Sequence, residues 1–150
     1  MSTVFEKIIS GEWAGRFCWA EDSCVVFATI APTAPGHMLV VPREPWAKWT
    51  DLPAEVAARL FEVARIIGSV QETVFDVPRS GLVIAGFEVP HTHLHVIPLR
   101  SEADVSLANA TPASDEALDD TTARLRTALV EAGFGEFIPP EMNVCPPTSR

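Results

Sequence analysis

The chain of 150 residues carries a formal net charge of −9, and 47% of its residues are hydrophobic while 21% are charged. This length and balance predict a single globular domain and argue against a disordered chain. The acidic excess argues against nucleic acid or an anionic membrane surface as a partner, because both are bound through clusters of lysine and arginine. No segment approaches the ~20 consecutive apolar residues of a transmembrane helix.

The three cysteines, Cys18, Cys24 and Cys145, are odd in number and form no C-x-x-C pair. This pattern predicts reduced thiols rather than a disulfide framework or a zinc site. Glu6 and Glu12 interrupt the first apolar stretch, which argues against a signal peptide. We therefore expect a cytoplasmic protein.

The first part of the chain predicts one short helix followed by three strands. The helix is expected over residues 2–10, with Ser2 or Thr3 as its N-cap and Gly11 as its end. The strands are expected at residues 16–20, 24–29 and 37–42.

A long amphipathic helix is the clearest element of the sequence. It begins around Pro53, with Thr50 or Asp51 as its cap, and ends before Pro78. Its apolar residues recur every three or four positions and form one stripe: Val56, Leu60, Val63, Ile67, Val70 and Val74.

Two strands and a last helix are expected after the long helix. The strands cover residues 81–85 and 91–99. The last helix runs from residue 115 to about residue 132, between a Ser114 cap and a Gly133 stop.

The order of these elements, with tight links between consecutive strands, predicts an α+β fold in which helices pack on an antiparallel sheet. We place this domain at residues 1–136. The remaining residues, 137–150, carry several prolines and are expected to form an extended tail.

Three of the four histidines, His91, His93 and His95, alternate along one predicted strand. Because side chains alternate between the two faces of a strand, all three imidazoles are expected on one face, while Leu94 and Val96 join the core on the other. Burying imidazoles costs hydrogen-bonding capacity and disfavours their charged form, so the arrangement indicates a use.

Three interpretations of the histidine row remain open from the residues alone. The first is a surface row without a function. The second is a zinc or copper site, because two strand histidines at i and i+2 can bind one metal, with His37 or Glu88 as a further ligand. The third, which we favour, is nucleophilic or acid–base chemistry, because histidine has a neutral, nucleophilic nitrogen near pH 7.

The row H-T-H-L-H-V-I-P-L at residues 91–99 resembles the H-φ-H-φ-H-φ-φ signature of the histidine triad family, although Thr92 is less apolar than usual. Three other segments resemble the same family: VFEKIISGE at 4–12, EDSCVVF at 21–27 and PTAPGHMLVVP at 32–42. The resemblance covers about residues 3–98, and its motifs together are far more specific than a lone H-x-H.

This resemblance implies an α+β fold and a homodimer with a continuous sheet. It also implies nucleotidyl hydrolase or transferase activity on a purine nucleotide derivative, which is a phosphoramidate, an adenylate or a dinucleoside polyphosphate. His93 is expected to attack the α-phosphorus and form a nucleotidyl-histidine that water then cleaves. His95 is expected to donate a hydrogen bond to a phosphate oxygen and His91 to orient the site, with no cofactor and no metal in the step.

The resemblance places the nucleotide pocket at eight residues: Phe5, Ile8, Trp13, Phe27, Thr29, Gly86, Phe87 and Glu88. For Phe5, Ile8 and Trp13, packing between helix and sheet is an equally good interpretation. Thr29 stands where family members often carry an aspartate that holds the ribose.

The link before the triad differs from the family pattern, because it is several residues shorter and holds Phe87 and Glu88 in place of polar donors. A glutamate near the leaving group repels a polyphosphate and pairs with an amine. Thr3 and Glu6 stand near the place of the C-x-x-C zinc half-site of some members. Two other functions stay open: a nucleotide-binding protein without turnover, and a metalloenzyme with histidine ligands.

Overall fold

A computed structural model describes residues 2–149 as a five-stranded antiparallel sheet with helices on both faces. Residues 1 and 150, the outer ends of the predicted domain and tail, lie outside the described residues. The elements in chain order are α1 (Val4–Ser10), β1 (Phe17–Ala20), β2 (Cys24–Ala28), β3 (Met38–Pro42), α2 (Ala54–Val74), β4 (Arg79–Val83), β5 (Leu94–Leu99) and α3 (Asp115–Leu129). The strand order across the sheet is β1-β2-β3-β5-β4. The α+β prediction is confirmed.

One face of the sheet packs against the two long helices and forms the main core. This face presents Val26, Val40, Leu94 and Val96, and the apolar side of α2 covers it. Leu94 and Val96 occupy the positions that the alternation along the histidine row predicts. Among residues 2–149, no helix has both the length and the apolar character that spanning a membrane requires.

The opposite face of the sheet packs against α1 and forms a smaller apolar cluster. Phe5 of α1 lies against Phe27 of β2, and Leu39 and Val41 of β3 belong to the same cluster. His95 pairs with Leu39 across the sheet, so its side chain shares this face. The α1 side of the sheet is therefore the side of the histidines.

A capping box fixes the beginning of α1. The Thr3 hydroxyl accepts a hydrogen bond from the Glu6 backbone N–H at 3.1 Å, and the Glu6 carboxylate accepts one from the Thr3 N–H at 2.9 Å. Gly11 ends the helix in the left-handed conformation, with φ of 89°. Thr3, one of the two predicted caps, is thus the N-cap.

Gln71 joins α2 to the sheet and to the loop that precedes β3. It is fully buried, and its amide donates hydrogen bonds to the carbonyls of Gly36 at 3.0 Å and Val96 at 2.9 Å. Gly36 has a φ of 93°, and a methyl group there would overlap the ring of Phe75. These contacts hold the backbone immediately before His37.

Three predicted elements, β5, β4 and α2, have wrong boundaries. β5 begins at Leu94 rather than at residue 91, because the N–H groups of His91 and Thr92 bond to loop carbonyls at Val89 and Trp46 instead of a neighbouring strand. β4 covers residues 79–83 rather than 81–85, because its ladder pairs Arg79 with Leu99 and ends at Val83.

The third wrong boundary is the cap of α2, where the structure has Pro53 in place of Thr50 or Asp51. Thr50 and Asp51 belong to a separate 3₁₀ turn, Trp49–Asp51, and Pro53 provides no side-chain hydrogen bond to the helix.

The tail predicted from residue 137 onwards lies along the outer edge of β1. The Phe17 N–H donates to the carbonyl of Met142 at 2.7 Å, and the ring of Phe137 stacks on Trp19 with centroids 4.5 Å apart. Asn143 adds a hydrogen bond to the Gly15 carbonyl. The tail therefore covers this edge, whereas within residues 2–149 no strand pairs with the outer edge of β4.

Candidate active site

His93, His95 and His37 form one chain of ring contacts on the α1 side of the sheet, and Phe5 joins His91 to this chain. The rings of His93 and His95 have centroids 4.9 Å apart, and those of His95 and His37 are 5.1 Å apart. The ring of Phe5 contacts the rings of both His91 and His93, with centroid distances of 5.7 Å and 4.8 Å. The structure therefore brings the triad together and adds His37 to it.

The tautomer of His93 follows from one backbone contact. Its Nδ1 lies 2.8 Å from the carbonyl oxygen of His91. Because a carbonyl oxygen can only accept a hydrogen bond, Nδ1 must carry the proton. In the neutral ring, Nε2 then holds an unshared electron pair.

His91 is completely buried, and both of its ring nitrogens are used within the protein. Its Nε2 lies 2.7 Å from the carbonyl oxygen of Pro42, so Nε2 donates a hydrogen bond. Its Nδ1 lies 2.8 Å from the Thr3 hydroxyl and must accept from it. His91 therefore supports the site from inside and has no nitrogen left for a ligand.

His37 sets the tautomer of His95 through a relay that begins at a backbone amide. The Thr33 N–H donates to His37 Nδ1 at 3.1 Å, so the His37 proton is on Nε2. This N–H donates in turn to His95 Nδ1 at 2.9 Å, which places the His95 proton on Nε2. His95 therefore has an N–H group to offer a substrate.

Two ring nitrogens of the site have no protein partner. Within residues 2–149, neither Nε2 of His93 nor Nε2 of His95 makes a hydrogen bond to another group of the protein. No buried side-chain nitrogen or oxygen in the same residues lacks a partner, so both atoms are reached by solvent. The site thus presents one unprotonated nitrogen beside one N–H donor.

Burial keeps the histidines neutral. It lowers the pKa of His93 from 6.5, against the opposing effects of its hydrogen bond to His91 and the charge of Glu88. Burial and the neighbouring His93 lower the pKa of His95 to about 4, and burial together with His95 lowers the pKa of His37 to about 3. At neutral pH the unshared electron pair on His93 Nε2 is therefore available.

The apolar residues predicted for the nucleotide pocket lie at different distances from the histidines. Phe5 touches two of the rings, and Phe27 is buried beneath Phe5. Ile8 packs against the same cluster. Trp13 is 46% exposed and lies under the Lys7 ammonium, 4.8 Å from the ring centroid. The packing interpretation given for Phe5, Ile8 and Trp13 thus fits Phe5 and Ile8, whereas Trp13 is about half exposed.

The polar and loop residues predicted for the pocket lie just after β2 and in the link between β4 and β5. Thr29 follows β2, and its hydroxyl accepts a hydrogen bond from the Ala31 N–H at 3.3 Å. Gly86 has a φ of 84° in the link before the triad. Phe87 is 97% exposed, and Glu88 is exposed beside it. Phe87 therefore has almost no packing contacts within this chain.

The model of the HIT domain family matches residues 10–102. This chain belongs to the HIT family. The matched segment contains the triad and His37, while α3 and the tail lie beyond it.

Similar proteins support this assignment. The adenosine 5'-monophosphoramidase of Saccharomyces cerevisiae is 33% identical over 100 residues, which are 66% of this chain and 63% of the relative. The bis(5'-nucleosyl)-tetraphosphatase of Schizosaccharomyces pombe is 38% identical over 85 residues, which are 53% of this chain and 46% of the relative. The crystal structure of a Zn-bound histidine triad family protein from Mycobacterium smegmatis has a TM-score of 0.76 at 26% identity, covering 88% of this chain and 96% of that chain.

The residues of this HIT chain do not fit a metal site at the triad. In the part of the chain that the structure describes, no group of three or more His, Cys, Asp or Glu side chains is arranged to hold a metal ion. His91 would have to give up its bond to Pro42 or to Thr3 before it could bind one. This geometry disfavours the metalloenzyme alternative.

Two residues at the site were not predicted as functional from the sequence. The sequence indicates His37 only as a possible metal ligand, although His37 lies in the P-T-A-P-G-H segment that carries part of the family resemblance. The sequence indicates Thr3 as a helix cap and as a residue near the place of a zinc half-site, whereas its contact with His91 spans 88 positions of sequence. No local pattern signals a contact over that separation.

The buried histidines predict a loss of stability between pH 6.5 and pH 5. Unfolded histidines bind protons with a pKa near 6.5, whereas folded His95 does so near 4 and folded His37 near 3. Because the folded-state values are lowered, the stabilisation is complete above pH 6.5 and is lost as the pH falls towards the folded values. The free energy of unfolding, measured with urea at several pH values, should decrease over this range.

A His95→Gln variant is the control for this effect. In this variant, the slope of the free energy of unfolding against pH should correspond to about one proton fewer taken up on unfolding. Ordinary carboxyl groups remain ionised in this range and so contribute little to the slope. Equal slopes for the two proteins would show that folded His95 is protonated as readily as an unfolded histidine.

Proposed function

We propose that this HIT protein hydrolyses or transfers the nucleotidyl group of a purine nucleotide derivative, with His93 as the nucleophile. The observation that carries the proposal is the hydrogen bond from His93 Nδ1 to the His91 carbonyl, which leaves Nε2 unprotonated and open to solvent. The relatives named as a monophosphoramidase and a tetraphosphatase support the substrate class.

In the first step, the electron pair of His93 Nε2 forms a bond to the α-phosphorus. The bond from phosphorus to the leaving group breaks, and the leaving group takes the bonding electrons and gains a proton from water. The imidazole becomes cationic, and the His91 carbonyl stabilises this charge through the Nδ1 proton. His95 Nε2–H, beside it, donates to a non-bridging phosphate oxygen.

In the second step, water attacks the phosphorus of the nucleotidyl-histidine. The bond between phosphorus and Nε2 breaks, its electron pair returns to His93, and a proton of the water passes to solvent. The products are a nucleoside monophosphate and the neutral imidazole. An alcohol or an amine in place of water gives transfer rather than hydrolysis.

Replacing the nucleophile should abolish this chemistry. His93→Ala should lower the turnover of adenosine 5'-phosphoramidate by about 10⁴-fold or more, the size typical of a lost nucleophile. In the wild-type protein, kcat/KM should stay high below pH 6.5 and fall only at more acidic pH, because burial lowers the pKa of His93.

Binding of adenosine monophosphate, measured by calorimetry, shows whether the His93→Ala protein retains its site. Equal turnover by the two proteins would contradict the role of His93. Affinity for the nucleotide without turnover of any phosphoramidate, adenylate or dinucleotide by the wild-type protein would support the alternative of a binding protein.

We further propose that Glu88 favours substrates with a cationic amine as leaving group over dinucleoside polyphosphates. Glu88 is exposed and precedes Val89, whose carbonyl accepts a hydrogen bond from the His91 N–H at 2.8 Å. The charge of Glu88 acts on His93. A negative charge at this place attracts an ammonium group and repels a polyphosphate.

Removing the charge of Glu88 should change substrate preference. Glu88→Gln should raise kcat/KM for a dinucleoside tetraphosphate, relative to kcat/KM for a lysine-derived phosphoramidate, by about two- to fivefold, as expected for an exposed charge pair. The matched control is Glu131→Gln, which removes an exposed carboxylate from the turn after α3. An unchanged ratio in Glu88→Gln, or the same change in both variants, would contradict this proposal.

We also propose that the protein is a homodimer formed through β4 and α2. The outer edge of β4 has no strand partner within residues 2–149, and unpaired edges are free to pair with a second chain. Phe61 of α2 and Leu82 of β4 line a groove beside this edge and are 60% and 41% exposed. Pairing of two copies buries both side chains and extends the sheet.

A charge placed in this groove should produce monomers. Phe61→Glu should halve the mass measured by light scattering during size-exclusion chromatography, because a buried unpaired carboxylate disfavours association. Ile30→Glu, a change at a loop residue that is 71% exposed, should leave the mass of the dimer unchanged. A wild-type protein with the mass of one chain would refute the dimer.

We propose that this enzyme works in the cytoplasm. Cys18 and Cys24 are free and buried, and burial raises the pKa of both thiols to about 12. The cysteines of the described residues form no disulfide, which is usual in a reducing compartment.

A further inference from the structure

The Thr3 hydroxyl lies at the junction of α1 and the triad. It accepts a hydrogen bond from the Glu6 N–H at 3.1 Å, which caps the helix, and it lies 2.8 Å from His91 Nδ1. Because His91 Nε2 must donate to the Pro42 carbonyl, Nδ1 has only an electron pair to offer. The Thr3 hydroxyl therefore donates its proton to His91 Nδ1, while a lone pair of the same oxygen accepts the hydrogen bond from the Glu6 N–H.

The backbone of His91 links the orientation of its own ring to the tautomer of His93. The His91 carbonyl is the group that holds His93 Nδ1–H. His91 is completely buried, so a lost partner at Nδ1 cannot be replaced by bulk water without rearrangement. The ring then has to change its tautomer or rotate, and either change breaks its bond to Pro42.

We infer that Thr3 is a positioning residue for the reaction of His93. This inference rests on the proposed function. The Thr3 hydroxyl fixes the tautomer and orientation of the His91 ring, and the fixed ring holds the His91 carbonyl where it selects the reactive tautomer of His93. The same residue orients α1, which carries Phe5 against both rings.

The capping role of Thr3 can be separated from this positioning role because α3 offers a matched case. Ser114 caps α3 by accepting from the Ala117 N–H at 3.1 Å, the same distance as in the cap of α1. Among the described residues, the Ser114 side chain makes no hydrogen bond to a histidine. Loss of the Ser114 hydroxyl therefore removes a helix cap but leaves the hydrogen bond between Thr3 and His91 Nδ1 in place.

Three variants of the full chain test the inference: Thr3→Val, Thr3→Ser and Ser114→Ala. Thr3→Val should lower kcat for adenosine 5'-phosphoramidate by about 10- to 100-fold, the size of a small misplacement of a catalytic group. Thr3→Ser should retain nearly all of kcat, because serine supplies the same donor and acceptor. Ser114→Ala should lose thermal stability and keep the wild-type kcat.

Long-range ¹H–¹⁵N spectra of the histidine rings supply a readout that does not need activity. Thr3→Ser and Ser114→Ala should keep the proton of His91 on Nε2 and that of His93 on Nδ1. Thr3→Val should show a changed or mixed tautomer at one or both rings.

A Thr3→Val protein with the wild-type tautomer at both rings overturns the inference, whatever its activity. A changed tautomer together with a wild-type kcat also overturns it. If the wild-type protein turns over no nucleotide, the proposed function fails, while the spectra still decide whether Thr3 fixes the two rings.

Discussion

The hydrogen bond from His93 Nδ1–H to the His91 carbonyl is the interaction on which the site depends. A histidine in water exchanges its proton between two nitrogens, and only one of the two tautomers offers Nε2 as a nucleophile. The carbonyl, 2.8 Å away, removes this freedom because it can only accept. In the proposed reaction, the same bond stabilises the charge that develops on the ring when Nε2 attacks phosphorus, so one contact would serve both the resting and the reacting state.

The His91 carbonyl is available because the hydrogen-bonded ladder of β5 begins only after it. β5 begins at Leu94, and the backbone of His91 and Thr92 bonds instead to Val89 and Trp46. A carbonyl that took part in strand pairing would have its acceptor directed along the sheet, whereas the His91 carbonyl is free to bind the ring two residues later. The burial of the His91 ring, between Pro42 and Thr3, keeps this irregular segment in place.

The sequence predicts the fold class and the face of the sheet on which His95 lies, because both follow from periodic patterns, whereas His91 and His93 precede β5 and lie outside that pattern. Leu94 and Val96 enter the core as the alternation requires, and the stripe of α2 includes the buried Leu60, Val63 and Ile67. The sequence does not predict the burial of Gln71, the role of His37, the contact of Thr3 with His91 or the path of the tail along β1. Each of these depends on hydrogen bonds between residues that are distant in sequence, and no spacing rule describes them.

The most direct test of the central claim is the protonation state of His93 in the wild-type protein. Histidine-labelled protein, observed at pH 7 by long-range ¹H–¹⁵N correlation, reports separately on Nδ1 and Nε2 of each ring. The structure predicts a neutral His93 ring with its proton on Nδ1 and an unprotonated Nε2. A His93 ring protonated on Nε2 alone, or on both nitrogens at this pH, would contradict the account.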